Sequence, residues 1–235
     1  MFKLVHQREE SNWISISDLM SGLMMIFLFI AILYMNHLQI KASQIKKIAV
    51  AYQEMQNDLY EDLNEEFRAD LPKWKATIDP QTLSICFREP DVYFNQGSYK
   101  IKTRFKSILN NFFPRYITII YSDKYRDNIE EIRIEGHTSS EWNSRKASKE
   151  DAYFLNMKLS QDRTREVLQY CHGLIENDVM QLWARRHITA NGLSSSHLIC
   201  PEDVENRELS RRVEFRTKTA AENKVVEIIE EIKKQ

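Results

Sequence analysis

Apolar residues run uninterrupted by charge from Leu19 to Met35, LMSGLMMIFLFIAILYM. Extended back to Trp13, the segment is long enough for a helix to cross a ~30 Å hydrocarbon core at about 1.5 Å per residue. Trp13 and Tyr34 stand near its ends, where amphipathic rings favour the membrane interface. Farther on, Ile45, Ile48, Tyr52, Met55 and Leu59 alternate by three and four, and Leu63 and Phe67 continue by four. That is the stripe of an amphipathic helix, with the spacing of a short parallel coiled coil that would pair two copies. Its second half is equally compatible with packing on the domain that follows.

After Pro80 the pattern becomes mixed. TLSICF (82–87), VYF (92–94), ITIIYS (117–122), the stretch 132–136, HITANG (187–192) and the stretch 211–215 have strand character. Ile101, Phe105, Ile108, Leu109 and Phe112 recur at helical spacing, and Pro114 is expected to end that helix. Leu159, Val167, Leu168 and Tyr170 predict a helix beginning near Ser160, after a charged insert from Ser140 to Phe154 expected as loop. A charged terminal helix from Ala220 to Lys234 carries Val225, Ile228, Ile229 and Ile232 on one side. The fold class that emerges is α/β: one transmembrane helix, a helical linker, and a sandwich with helices on one face of a small sheet. The divisions are a tail over 1–12, the membrane helix over 13–36, the linker over 37–79, the α/β domain over 80–218 and the terminal helix over 219–235.

A cleavable signal peptide would want basic residues directly before the apolar run and a small-x-small site after it. Arg8-Glu9-Glu10 and Tyr34-Met35-Asn36-His37-Leu38 stand there instead, favouring a retained anchor. Lys3 and Arg8 before the span, and Lys41, Lys46 and Lys47 after it, leave its orientation open. Asp18 lies about one turn into the predicted helix. A carboxylate there is costly unless it faces protein or a wet path, which makes it a functional candidate. Ser21, Gly22 and Met25 share its helical face, and small residues allow a second helix to approach. The bland reading of Asp18 is an interfacial helix cap beside Ser17.

Composition narrows the function by exclusion. A net charge of -1 over 235 residues gives no reason to expect a nucleic-acid partner. Cys86, Cys171 and Cys200 form no CxxC pair, and no metal-ligand spacing stands out. His137 is expected to serve as a hydrogen-bonding residue at a strand end. No nucleophile elbow, phosphate loop or triad is present, so neither an enzyme nor a bound cofactor is expected.

Three motifs carry a resemblance. Ile132-x-Ile134-x-Gly136-His137-Thr138, Asn156-x-x-Leu159-Ser160-x-x-Arg163 and Ser210-Arg211-Arg212-Val213-Glu214-Phe215, in that order, resemble the OmpA-like peptidoglycan-binding family. The resemblance implies a groove that holds the free carboxylate of a diaminopimelate stem peptide. Arg163 would be its fork, with Asn156, Leu159, Thr138 and Arg212 around it. The family usually has an aspartate where this chain has Ser139; Glu141 is the nearest substitute in sequence.

The run Trp13-x-x-x-x-Asp18-Leu-Met-Ser-Gly-Leu-Met-Met-Ile-Phe-Leu resembles MotB-like stator subunits. That implies Asp18 as the carrier of a transported proton, a cytoplasmic N-terminus and a periplasmic domain. Ser17-Asp18-Leu-Met-Ser-Gly-Leu-Met and Gly136-His-Thr-Ser-Ser-Glu-Trp142 are more similar to the ZorB-type subunits of Zorya anti-phage systems. The implied partners are a second copy of the chain, peptidoglycan, and a MotA/ZorA-like multi-helix channel subunit, five copies to two. A flagellar stator subunit and a plain cell-wall tether are the alternatives. In a periplasm, Cys171 and Cys200 are the candidate disulfide, with three free thiols the other possibility.

Overall fold

The computed structural model describes residues 2–88, 93–142 and 147–220. The first element, α1, is a helix from Phe2 to Phe67. Among the described residues it is the one helix long and apolar enough to cross a membrane. Two compact units divide the chain within it, the first ending at Ala51 and the second beginning at Tyr52.

In the first unit the large apolar side chains face outward: Leu19 is 75% exposed, Met24 72% and Phe29 64%. With the backbone bonded internally, such a surface suits lipid or neighbouring helices. Ser21 donates its hydroxyl to the Ser17 carbonyl at 2.9 Å, and a Cβ added at Gly22 would meet nothing within 4 Å. Farther along, Ile45 and Ile48 are half-buried.

In the second unit the same helix turns from surface to core. Leu59, Leu63 and Phe67 are fully buried, and Met55 and Tyr60 pack against that core. The latter part of the expected coiled-coil seam is therefore occupied by the chain's own domain. The compact unit that holds the sheet accordingly takes in α1 from Tyr52 onward. The Phe67 ring packs at a tilt against Phe112 at 5.2 Å and Trp74 at 6.0 Å. Arg115 fastens the polar side, donating to Glu66 Oε1 at 2.5 Å and Asp70 Oδ2 at 2.9 Å while covering the Phe67 ring. Tyr125 and Lys124 hold Asp62 at 2.5 and 3.1 Å.

The remaining elements are α2 (Leu71–Trp74), β1 (Ala76–Asp79), β2 (Ser84–Arg88), α3 (Thr103–Ile120), β3 (Ile129–His137), α4 (Lys149–His172), α5 (Asp178–His187), β4 (Ile188–Ser194), α6 (Arg207–Ser210) and β5 (Arg212–Thr219). They form a mixed five-stranded sheet in the order β1-β2-β5-β3-β4. Only β3 and β4 run parallel, and α4 and α5 supply the crossover such a pair requires. Phe87, Phe105, Phe112, Tyr116 and Phe215 fill the layer between sheet and helices, Phe112 lying 5.1 Å from both Phe87 and Phe215.

Several sequence expectations give way. ITIIYS is not a strand: α3 passes through Pro114 and continues to Ile120. The proline removes one donor, but Phe105, Ile108, Leu109, Phe112, Phe113, Tyr116, Ile117 and Ile120 keep one apolar face buried across it. That burial outweighs the lost bond. Tyr93 and Phe94 form no strand, only a bridge from Phe94 to Ile101, and Val92 lies outside the described residues. Helix α4 begins at Lys149 and not near Ser160, because Ser148 caps it by accepting from the Asp151 N–H at 3.0 Å. Helix α5 and strand β1 carried too short a pattern to stand out. All three cysteines are free, Cys86 and Cys171 buried and Cys200 exposed. The expected terminal helix lies outside the described residues apart from Ala220.

Leu63→Ala is expected to cost about 2–5 kcal/mol in chemical denaturation of the full chain. The exposed substitution Glu61→Ala should stay within about 0.5 kcal/mol. Equal effects would mean that this end of α1 does not belong to the domain core.

Candidate functional site

Helix α4 lies so close to β3 and β4 that a side chain at either of two strand glycines would clash with it. A Cβ at Gly136 would stand 2.7 Å from Thr164 Cγ2, and one at Gly192 only 2.3 Å from the Gln161 backbone nitrogen. Hydrogen bonds lock this seat. The Gln161 side chain donates to Ala190 O at 3.0 Å and accepts from the Gly192 N–H at 2.7 Å. Ser160 Oγ accepts from the Ser194 N–H at 3.1 Å, and Ser194 Oγ donates to Tyr153 O at 2.6 Å. The serine of the Asn-x-x-Leu-Ser-x-x-Arg motif is thus buried structure.

Asn156, Leu159 and Arg163 lie at i, i+3 and i+7, on one side of α4. Asn156 is buried and donates its amide to the carbonyls of Ser139 and Glu141, both at 3.1 Å. It therefore holds the loop after β3. Leu159 is half-buried. Arg163 donates from Nε to Ser98 O at 2.9 Å and from Nη2 to Asn95 O at 3.3 Å, with its guanidinium 4.8 Å from the Phe94 ring centroid. Part of its fork is thus engaged by the turn around Gly97.

Thr138 follows the end of β3. Its backbone N–H donates to Ser194 O at 2.9 Å, while its buried hydroxyl has no hydrogen-bond partner among the described residues. Arg212, buried at the start of β5, stands opposite His137 in register. It donates to Glu214 Oε1 at 2.5 Å and to the carbonyls of His197 and Ser210 at 3.2 Å. Ser210 Oγ accepts from the Ile199 N–H at 2.9 Å, so the third motif pins the loop that precedes it. The structure thus places Thr138 and Arg212 at adjacent strand ends and Asn156 under the same loop, whereas Arg163 engages a separate turn.

One residue at this loop escaped sequence reasoning. Glu205 accepts the Ser140 N–H at 2.9 Å and also its hydroxyl. Its only sequence cue was its place just before Asn206, the cap of α6. Glu141 is engaged with Arg207 at 2.6 Å. Two carboxylates therefore flank the position where the family usually carries aspartate.

The opposite face of the sheet is polar. Glu135, His137 and Glu214 come together there, each with a ligand atom within 4.8 Å of the others. Among the described residues neither His137 ring nitrogen has a partner within ordinary hydrogen-bond length; Glu135 Oε2 is 3.6 Å and Glu214 Oε1 3.7 Å from its Nε2. Burial raises the Glu135 carboxyl, but His137, Arg216 and Arg133 outweigh it and hold the group below the usual range. Burial and the adjacent Glu214 charge push the Cys86 thiol up to about 11.

No family model matches the chain. Over 225 residues it is 45% identical to the Zorya protein ZorB of Escherichia coli, a match covering 95% of this chain and 94% of that protein. Among solved structures, a MotB-like protein of Desulfovibrio vulgaris superposes with a TM-score of 0.53 at 21% identity, covering 73% of this chain and 98% of that one. That likeness establishes the fold.

The seat of α4 has a direct test. Gly192→Ala drives a methyl into the helix backbone, so α4 must shift. Thermal melting should fall by several degrees, and hydrogen exchange in residues 138–141 should rise. A variant that melts with wild type would show that the close approach tolerates a side chain.

Proposed function

The chain belongs to the ZorB family of Zorya proteins, and from that premise we propose that it is the proton-conducting, wall-anchored subunit of an ion-driven motor in anti-phage defence. The observation that carries this reading is the extent of the match: one relative spans both the Asp18-bearing apolar helix and the α/β domain. The proposed placement is single-pass in a bacterial inner membrane, with the N-terminus cytoplasmic and the domain periplasmic.

Asp18 is the proposed proton carrier. An aspartate on an outward-facing apolar helix needs enclosure, and the open surface at Gly22 leaves room for a neighbouring helix. The enclosing partners would be a second copy of the chain and a MotA/ZorA-like channel subunit, five copies to two. Ile45 and Ile48 are what remains of the pairing seam outside the domain. Each protonation neutralises the carboxylate and each release recharges it, and that alternation is what a rotary coupling requires.

Peptidoglycan is the proposed anchor, through Thr138, Asn156, Leu159, Arg163 and Arg212. What supports it is the Thr138 hydroxyl: a buried polar group without a partner is costly, and a ligand would satisfy it. Asn156 acts by positioning the loop beside it. The two arginines carry planar guanidinium groups of the kind that pair with a carboxylate, each with part of its fork held by protein oxygens.

Asp18→Asn keeps shape and polarity but cannot ionise. Cells carrying it should lose phage protection while the assembled complex purifies in normal yield. Protection equal to wild type would reduce the chain to a tether. For the wall, Thr138→Val removes the unpartnered hydroxyl at constant volume. It is expected to weaken pull-down by purified peptidoglycan severalfold with a melting temperature equal to or above wild type. Undiminished pull-down by the folded variant would move the ligand elsewhere.

A further inference from the structure

We propose that Glu135, His137 and Glu214 bind a divalent transition-metal ion of the zinc class on the polar face of the sheet, next to Arg212 of the proposed wall-binding set. Alternation along β3 puts residues 135 and 137 on one face, and the register sets Glu214 of β5 directly opposite Glu135. Two strands thus converge three ligand groups without a loop being needed.

The distances have the scale of coordination. Nε2 of His137 stands 3.6 Å from one carboxylate oxygen and 3.7 Å from the other, beyond hydrogen-bond length for both. Ligands held roughly 2.0–2.2 Å from a common zinc at tetrahedral to trigonal angles are separated by about 3.3–3.7 Å. A protonated imidazole would instead draw one carboxylate to about 2.7–2.9 Å. The His137 side chain is only 2% exposed, and neither ring nitrogen finds a hydrogen bond among the described residues. An unsatisfied buried imidazole aimed between two carboxylates is the second, independent mark of a ligand set.

The donor set fixes the chemical class. Mixed imidazole and carboxylate ligation suits zinc and its neighbours, whereas calcium and magnesium favour oxygen alone. His197 is exposed, and its ring centroid lies 6.1 Å from that of His137. A rotation of this side chain would bring in a fourth ligand. Cationic groups oppose the ion: Arg212 contacts Glu214, and Arg133 and Arg216 act on Glu135. Glu214 Oε1 must therefore be shared with Arg212 or yielded by it, which makes occupancy and the position of Arg212 interdependent.

The test uses the full chain in detergent, stripped by chelator and dialysed against Zn2+ or Co2+. Wild type should retain one ion per chain by elemental analysis, melt at higher temperature with Zn2+, and show the visible absorption of low-symmetry Co2+. His137→Gln should abolish all three, while His172→Gln, on α4, should change none. Glu135→Gln gives the same reading should His137→Gln fail to fold. Wild type without metal uptake, or uptake undiminished in the folded His137 or Glu135 variant, would overturn the proposal.

Discussion

Most of what this domain presents depends on how closely α4 can approach the β3–β4 pair. The helix backbone sits where a Cβ on Gly192 would stand, and the Thr164 methyl and the Ser160 carbonyl crowd the position of one on Gly136. From that seat follow the burial of Ser160 and Thr164, the hydrogen bonds of Gln161 to β4, and the reach of Asn156 to the loop after β3. The loop in turn presents Thr138 beside Arg212. A change at Gly192 therefore propagates to the candidate groove through packed backbone.

The sheet and its motifs were largely legible because period-two alternation in 132–136, 187–192 and 211–215 is a local property. What was not legible depended on tertiary contact. Pro114 signals a helix end in any isolated segment; only the core on both sides of it carries α3 through. Leu59, Leu63 and Phe67 have the spacing of a coiled coil, and nothing local distinguishes a partner helix from the chain's own aromatic core. At the candidate site, motif spacing located Asn156 and Arg163 on one helix face. It could not reveal that the Asn156 amide is committed to backbone carbonyls, nor that Glu205 joins from 65 residues beyond Ser140. The Glu135–His137–Glu214 grouping was invisible for the same reason, since strand register, not sequence spacing, assembles it.

A single helix, α1, carries two contrary surface rules. Between Leu19 and Met35 its large side chains are outward and apolar, which is stable only in lipid or against other helices. Between Leu59 and Phe67 its apolar side chains are inward, and the exposed side bears Glu61, Glu65 and Glu66. The charge-free stretch therefore makes Asp18 conspicuous, while the same carboxylate chemistry in the second unit is ordinary: Asp62 and Asp70 are paired with Tyr125, Lys124 and Arg115.

The strand order also governs the sequence of events in folding. β5, the last of the described strands in chain order, lies at the centre between β2 and β3, while β1 and β2 precede it by more than a hundred residues. Until β5 arrives, β2 lacks its inner neighbour and β3 lacks the partner that joins the two halves. Closing the sheet thus waits on the most distant pairing in the domain, the kind that slows folding because loop entropy is spent before contacts repay it. A nascent chain must hold the β2 edge open over the more than a hundred residues that separate it from β5, and the β3 edge over the later part of that stretch, which exposes both edges to misassembly.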